Sequence, residues 1–292
     1  MSVRRLAAIL EYDGGDFIGW QRQTTGRSVQ AEVESALGKV ADEGVTVVCA
    51  GRTDRGVHAA AQVLHFETSR ERSPRSWLLG TNASLPPDVS LIAVREMPAE
   101  FHARFSAIAR VYRYIVCERP TRPALLRRRV AWTHRRLDVP RMQEAAAALI
   151  GEHDFSAFRG ADCQARSPLR RLERIAVTRH ESLVAIEVKA NAFLLHMVRN
   201  IAGSLLLVGS GRAEPRWLEE VLRKRDRRLA GPTAPARGLT LVGVEYPAAC
   251  GIRVAAGNAG ASIEALEMLG YHGRDAGGAP APRPGTEGNE AR

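Results

Sequence analysis

The sequence predicts an α+β fold. Short apolar runs suited to antiparallel strands recur along the chain, and stretches with helical periodicity are interspersed with them in both halves. A third observation is the glycine-punctuated loop GRTDRG within residues 45–66, VTVVCAGRTDRGVHAAAQVLHF. The run before it is short and apolar and the run after it alternates, so this stretch reads as strand, loop, strand. Glycine permits positive φ and close backbone approach. Gly51 and Gly56 therefore bracket a carboxylate, Asp54, and two guanidinium groups, Arg52 and Arg55, on a loop that a sheet can hold rigid. Taken alone, Asp54 also reads as a turn aspartate and its arginines as phosphate clamps.

The elements follow in order. Residues 6–12 read as a strand, 13–16 (DGGD) as a turn and 17–23 (FIGWQRQ) as a polar-aromatic loop. Ser28 is positioned to cap a helix with Val29, Val33, Ala36, Leu37 and Val40 on one face. Residues 77–85 read as a helix, 89–96 as a strand and 101–110 (FHARFSAIAR) as a linker. In 111–118, period-two alternation puts Val111, Arg113, Ile115 and Cys117 on one face and Tyr112, Tyr114 and Val116 on the other. Arg127, Arg128, Arg129, Arg135 and Arg136 form a basic surface segment around Trp132.

A second half starts near Leu137. Asp138 caps a helix with Met142, Ala145, Ala146, Leu149 and Ile150 inward, ended by Gly151. Residues 153–170 read as a loop, 172–180 and 183–190 as a strand pair, 191–208 as a long helix, 217–225 as a basic helix and 239–246 as the last strand. The expected organisation is an N-terminal α+β half, 1–110, a second half, 111–247, and an Ala/Gly/Pro-rich tail, 248–292, read as disordered apart from a helical turn or two at 263–269.

Composition narrows the function classes. The tail carries a net charge of −1, so the chain's formal +10 resides in a body of +11, which points to a polyanion as partner. A coding bias accounts for the choice of Arg, since only Lys39, Lys189 and Lys224 are lysines, but less easily for the excess of positive charge. No apolar run approaches the roughly 20 residues of a membrane span. The apolar segment after Arg4 and Arg5 is too short for a signal peptide and is followed by Glu11 and Asp13, so the chain reads as cytoplasmic. Four scattered cysteines form no C-x-x-C pair, and His58 and His65 fit no ligand spacing, so neither a disulfide framework nor a metal site is expected.

Several segments in order, EYDGGDFIGWQRQ with SVQ, AGRTDRGVHAAAQVLHFET, FHARFSA with VYRY, ALIGEHDFSAFR and KANAFLLHMVRNIAGSL, resemble those of the tRNA pseudouridine synthase A (TruA) family over about residues 4–247. The resemblance implies a pseudouridine synthase fold: two similar halves sharing a mostly antiparallel sheet flanked by helices. It implies isomerisation of uridine to pseudouridine in the tRNA anticodon arm, at positions 38, 39 and 40, without cofactor or metal, by a homodimer. It makes Asp54 the catalytic carboxylate, acting as nucleophile or as the base of a glycal route, Tyr112 the residue that stacks on the target base, and Arg52 the residue implicated in base flipping. Arg52 is also placed to hold the Asp54 charge. His196 and Arg199, three apart, share a helical face suited to phosphate, while Phe193, Leu194, Met197, Val198 and Ile201 read as core. Leu241 is a candidate pocket wall. The rival of a different class is a non-catalytic RNA-binding module, which leaves Asp54 without a task; an RNA glycosidase needs a second acid, and the GRTDRGVH loop offers none.

Overall fold

The structure, a computed structural model, describes residues 3–252; the expectations for the rest of the tail, including 263–269, lie outside them. The first half runs β1 (Arg4–Tyr12), α1 (Val29–Ala41), β2 (Val47–Cys49), β3 (His58–Thr68), α2 (Pro74–Asn82), β4 (Val89–Met97). The second runs β5 (Ala109–Glu118), β6 (Ala131–Thr133), α3 (Val139–Ala147), β7 (Gly151–Asp154), β8 (Leu169–His180), β9 (Leu183–Ala190), α4 (Met197–Gly209), α5 (Pro215–Lys224), β10 (Leu239–Glu245).

The described strands form one sheet in the order β4-β1-β3-β10-β5-β9-β8-β7, with β2 on β3 and β6 on β5. Only β10 with β3 and β6 with β5 pair in parallel. The last strand thus inserts between the two halves and joins them through backbone hydrogen bonds. The α+β assignment and the mostly antiparallel sheet hold.

Local chemistry explains the elements. Ser28 Oγ accepts the Ala31 N–H at the start of α1, which buries Val29, Val33 and Leu37. Asp138 accepts the Arg141 N–H at the start of α3, which buries Met142, Ala145 and Ala146. β5 alternates as expected: Tyr112, Tyr114 and Val116 join the main core, while Ile115 and Cys117 pack with Leu126, Val130, Leu183 and Ala185 on the other face.

Several expectations are corrected. β3 does not alternate but is buried on both faces. Phe66 packs on Trp77 of α2 at 5.2 Å, and His65 on the other face accepts the Ala103 N–H and packs on Phe101. The 101–110 segment is therefore a packed cover, not a free linker. α2 begins at Pro74 because Ser73 caps it, accepting the Ser76 N–H. Residues 153–170 contain part of β7 and a 3-10 turn, Ser156–Phe158, and β8 begins at Leu169. Ile150 lies beyond α3 and is exposed. Arg128 and Arg129 are surface residues, but they pair with Asp16 and Asp13, and the Trp132 indole N–H is satisfied by the Arg119 carbonyl.

Candidate active site

The GRTDRG loop is fixed at both ends. Gln62, fully buried on β3, donates to the Gly51 carbonyl (2.6 Å), and the Tyr12 hydroxyl from β1 meets Thr53 Oγ1 at 2.7 Å. The Trp20 N–H reaches the Thr53 carbonyl at 3.0 Å, and Gly19 bridges Asp54 in an isolated antiparallel pair. Gly19 has φ +123°, and a Cβ there would lie 2.9 Å from the Thr53 oxygen, so this approach requires glycine. The FIGWQRQ loop thus forms a second wall behind Asp54. At the loop's end Gly56 has φ +75°, whereas Gly51 is not in the left-handed region. Only one of the two bracketing glycines is used for its conformational freedom.

Asp54 is 24% exposed at its side chain. Burial pushes its carboxyl up, while His196 and Arg199 pull it back. His196 Nε2 lies 3.6 Å and Arg199 Nη1 3.7 Å from Asp54 Oδ2. Arg52 is exposed and has no carboxylate within 4 Å among the described residues, so the basic side chains nearest Asp54 come from the second half of the chain. The helix carrying them is shorter than expected: α4 starts at Met197, and His196 is its N-cap in the left-handed region, φ 61°. Residues 191–196 form a loop that brings His196 over the carboxylate. Arg199, in the first turn of α4, is steadied by donating Nε–H to the Ala234 carbonyl at 2.8 Å.

Tyr112 projects from the middle of β5 toward this loop and is 8% exposed. A Cβ on Gly51 would lie 3.8 Å from its hydroxyl, which makes no hydrogen bond among the described residues. Burial foremost, then the nearby Tyr12 and Asp54, push its phenol well above the ordinary tyrosine value. Phe193 packs edge-on against it at 5.1 Å, so this residue belongs to the site wall and not to a helical core face. Leu241 is fully buried and pairs in register with Tyr112 across β10 and β5. It flanks the tyrosine within the sheet, and Leu239 contributes to the cleft lining instead.

Asp54, Arg52, Tyr112, Phe193 and His196 line a cleft of about 810 Å³, within the usual range for ligand sites. Among the described residues no cluster of His, Cys, Asp or Glu could hold a metal ion, and no helix is long and apolar enough to cross a membrane. Lys189, in the KANAF motif, is paired with Glu173 and Glu245. His58 is fully buried between the Gly14 N–H and the Arg128 carbonyl.

Arg110 went unnoticed in the sequence. Its guanidinium is buried with no carboxylate within 4 Å among the described residues, and it donates to the carbonyls of Ala50, Arg104, Ala107 and Asn191. One side chain thereby ties Ala50, at the start of the GRTDRG loop, to the 101–108 cover and to the loop bearing His196. Extending the β5 alternation back by one residue would have shown the signal, since it puts Arg110 on the face of Tyr112.

The tRNA pseudouridine synthase family model matches residues 8–106 and 145–247. The chain is 56% identical to tRNA pseudouridine synthase A of Methylococcus capsulatus over 85% of this chain and 92% of that one. It is 53% identical to the Coxiella burnetii protein of that name, over 84% and 94%, and 52% identical to that of Pseudomonas aeruginosa, over 84% and 86%. With a family model that matches segments on both sides of the sheet and relatives of this identity covering 84–85% of its length, the chain belongs to the tRNA pseudouridine synthase A family.

Proposed function

We propose that this chain isomerises uridine to pseudouridine in the anticodon arm of cytoplasmic tRNA, at positions 38, 39 and 40, with Asp54 as the essential carboxylate. The observation that carries the reading is a semi-buried carboxylate flanked by His196 and Arg199 and set beside Tyr112 in one cleft. The reaction breaks the uridine N1–C1′ bond, turns the base, forms C5–C1′, releases the C5 proton and takes up a proton at N1. Nothing is oxidised or reduced. A carboxylate serves either by attacking C1′ or by removing a sugar proton, and both routes require Asp54 ionised.

A uridine inside RNA must leave its stack to enter this cleft, at a cost of a few kcal/mol. Arg52, exposed and without a carboxylate partner on the cleft rim, is suited to occupy the space the base leaves. Tyr112 presents its ring to the extruded base, held in orientation by Phe193 and Leu241. Arg199 and His196 keep the Asp54 carboxylate charged, and the net positive charge of the chain repays extrusion through phosphate contacts. The active form is a homodimer in this reading; light scattering that showed only monomer at micromolar concentration would remove that part.

The test is tritium release from unmodified tRNA carrying tritium at uridine C5, beside Asp54→Ala. Release by the wild type and none by the variant supports the assignment. Binding without release by either protein identifies an RNA-binding module, and free uracil identifies a glycosidase.

A further inference from the structure

Phe105 is 75% exposed, in a segment whose Phe101 and Ala103 are buried. His102 accepts the N–H groups of Arg104 and Phe105 at its Nδ1, and its own N–H is held by Ser106. The Phe105 ring lies on the His102 ring with centroids 4.4 Å apart and planes 28° apart, and His102 in turn lies 4.7 Å from buried His65. Three rings thus form a ladder from β3 to solvent. Burial holds His65 at about 4, and His102 is also lowered by burial and by Arg5, so both imidazoles are neutral at physiological pH. A ring braced on one side by a neutral imidazole and still three-quarters exposed has restricted rotamer freedom, which reduces the entropic cost of receiving a flat ligand.

The ladder stands at the cleft. Arg104, next in the chain, lines the same cleft as Asp54 and holds its guanidinium over the Phe105 ring, 5.4 Å from the centroid and within cation–π range. Among the described residues no carboxylate lies within 4 Å of Arg104 or Arg52, both exposed and both lining this cleft. An exposed aromatic face beside guanidinium groups without acidic partners matches the chemistry of a single-stranded nucleic acid: a base for the ring and phosphates for the cations.

We propose that Phe105 is a stacking platform for a nucleobase neighbouring the extruded uridine, with Arg104 receiving a phosphate beside it. This site rests on the RNA reading of the cleft but assigns a contact outside the catalytic pocket. A second copy of this chain packing on Phe105 is the competing account of the exposure, and light scattering separates the two.

The experiment measures binding of an unmodified tRNA transcript and tritium release at saturating tRNA for Phe105→Ala, Phe105→Leu and Phe105→Trp, with light scattering of each. The exposed position lets all three fold. The expected result is affinity roughly 5- to 100-fold weaker for Ala and Leu, affinity within about threefold of wild type for Trp, and release at saturation within about twofold throughout. Leucine binding like phenylalanine overturns stacking, since only apolar area would then matter. Unchanged affinity for alanine, or a change in molar mass that accounts for the loss, overturns the site in favour of no contact or of an interface between copies. Wild type that binds tRNA but releases no tritium defeats the isomerase reading alone; the platform is then still decided by the three affinities.

Discussion

Nη1 of Arg199 stands 3.7 Å from Oδ2 of Asp54, joining the first turn of α4 to the loop between β2 and β3. Neither group forms a tight bidentate pair, so the Asp54 oxygens keep lone pairs for a substrate. The relationship is electrostatic: burial raises the Asp54 carboxyl, and Arg199, with His196, opposes that rise.

The pH profile follows with a definite sign. Asp54 must be ionised to act, and its folded value lies above that of an ordinary aspartate, so activity is lost as pH falls through that raised value. Arg199→Gln removes one opposing charge and moves the acid limb of kcat/KM to higher pH. An unshifted limb, measured by tritium release across pH, would show that Arg199 does not bear on the Asp54 charge.

Tyr112→Phe separates stacking from proton transfer. The hydroxyl is unbonded among the described residues, so the substitution leaves stability within about 0.5 kcal/mol. Its phenol is held well above the usual value and stays protonated at assay pH, which suits a donor. Turnover is expected to fall on the order of 10²-fold with tRNA affinity unchanged; full turnover would restrict Tyr112 to stacking.

Salt tests the basic surface. A body of net charge +11 that engages even three phosphates loses at least about tenfold in affinity between 50 and 200 mM monovalent salt. Titrations at both concentrations check this, and a flat response would remove the phosphate contacts from the account.

Asn200 tests the support behind Arg199. Fully buried, it donates to the Phe158 carbonyl and accepts from Arg227 and Thr233, holding the loop whose Ala234 carbonyl steadies Arg199. Asn200→Ala removes all three contacts, stripping the Phe158 carbonyl of this donor while Arg227 keeps Thr233 and Gly231, and is expected to cost about 2–3 kcal/mol, a fall in melting temperature of roughly 5–10 °C. A melting temperature within 1–2 °C of wild type would show that the loop stands without it.

The sequence by itself determined the local elements and the motif. Caps at Ser28 and Asp138, the alternation that sends Tyr112 and Tyr114 to one side, and the loop holding Asp54 are all local patterns, and local patterns are written in adjacent residues. It also carried the family, since long ordered motifs survive in the letters. Tertiary structure alone decided which cations meet Asp54. Arg52, two residues away, reads as the natural partner, yet Arg199 and His196 occupy that place because β10 inserts between the halves and α4 is cut short at a left-handed His196. It also decided that Arg110 would clamp three segments and that β3 would be covered on both faces. These are contacts between residues far apart in the chain, fixed by strand order and by where buried polar groups find partners, and neither periodicity nor spacing encodes them.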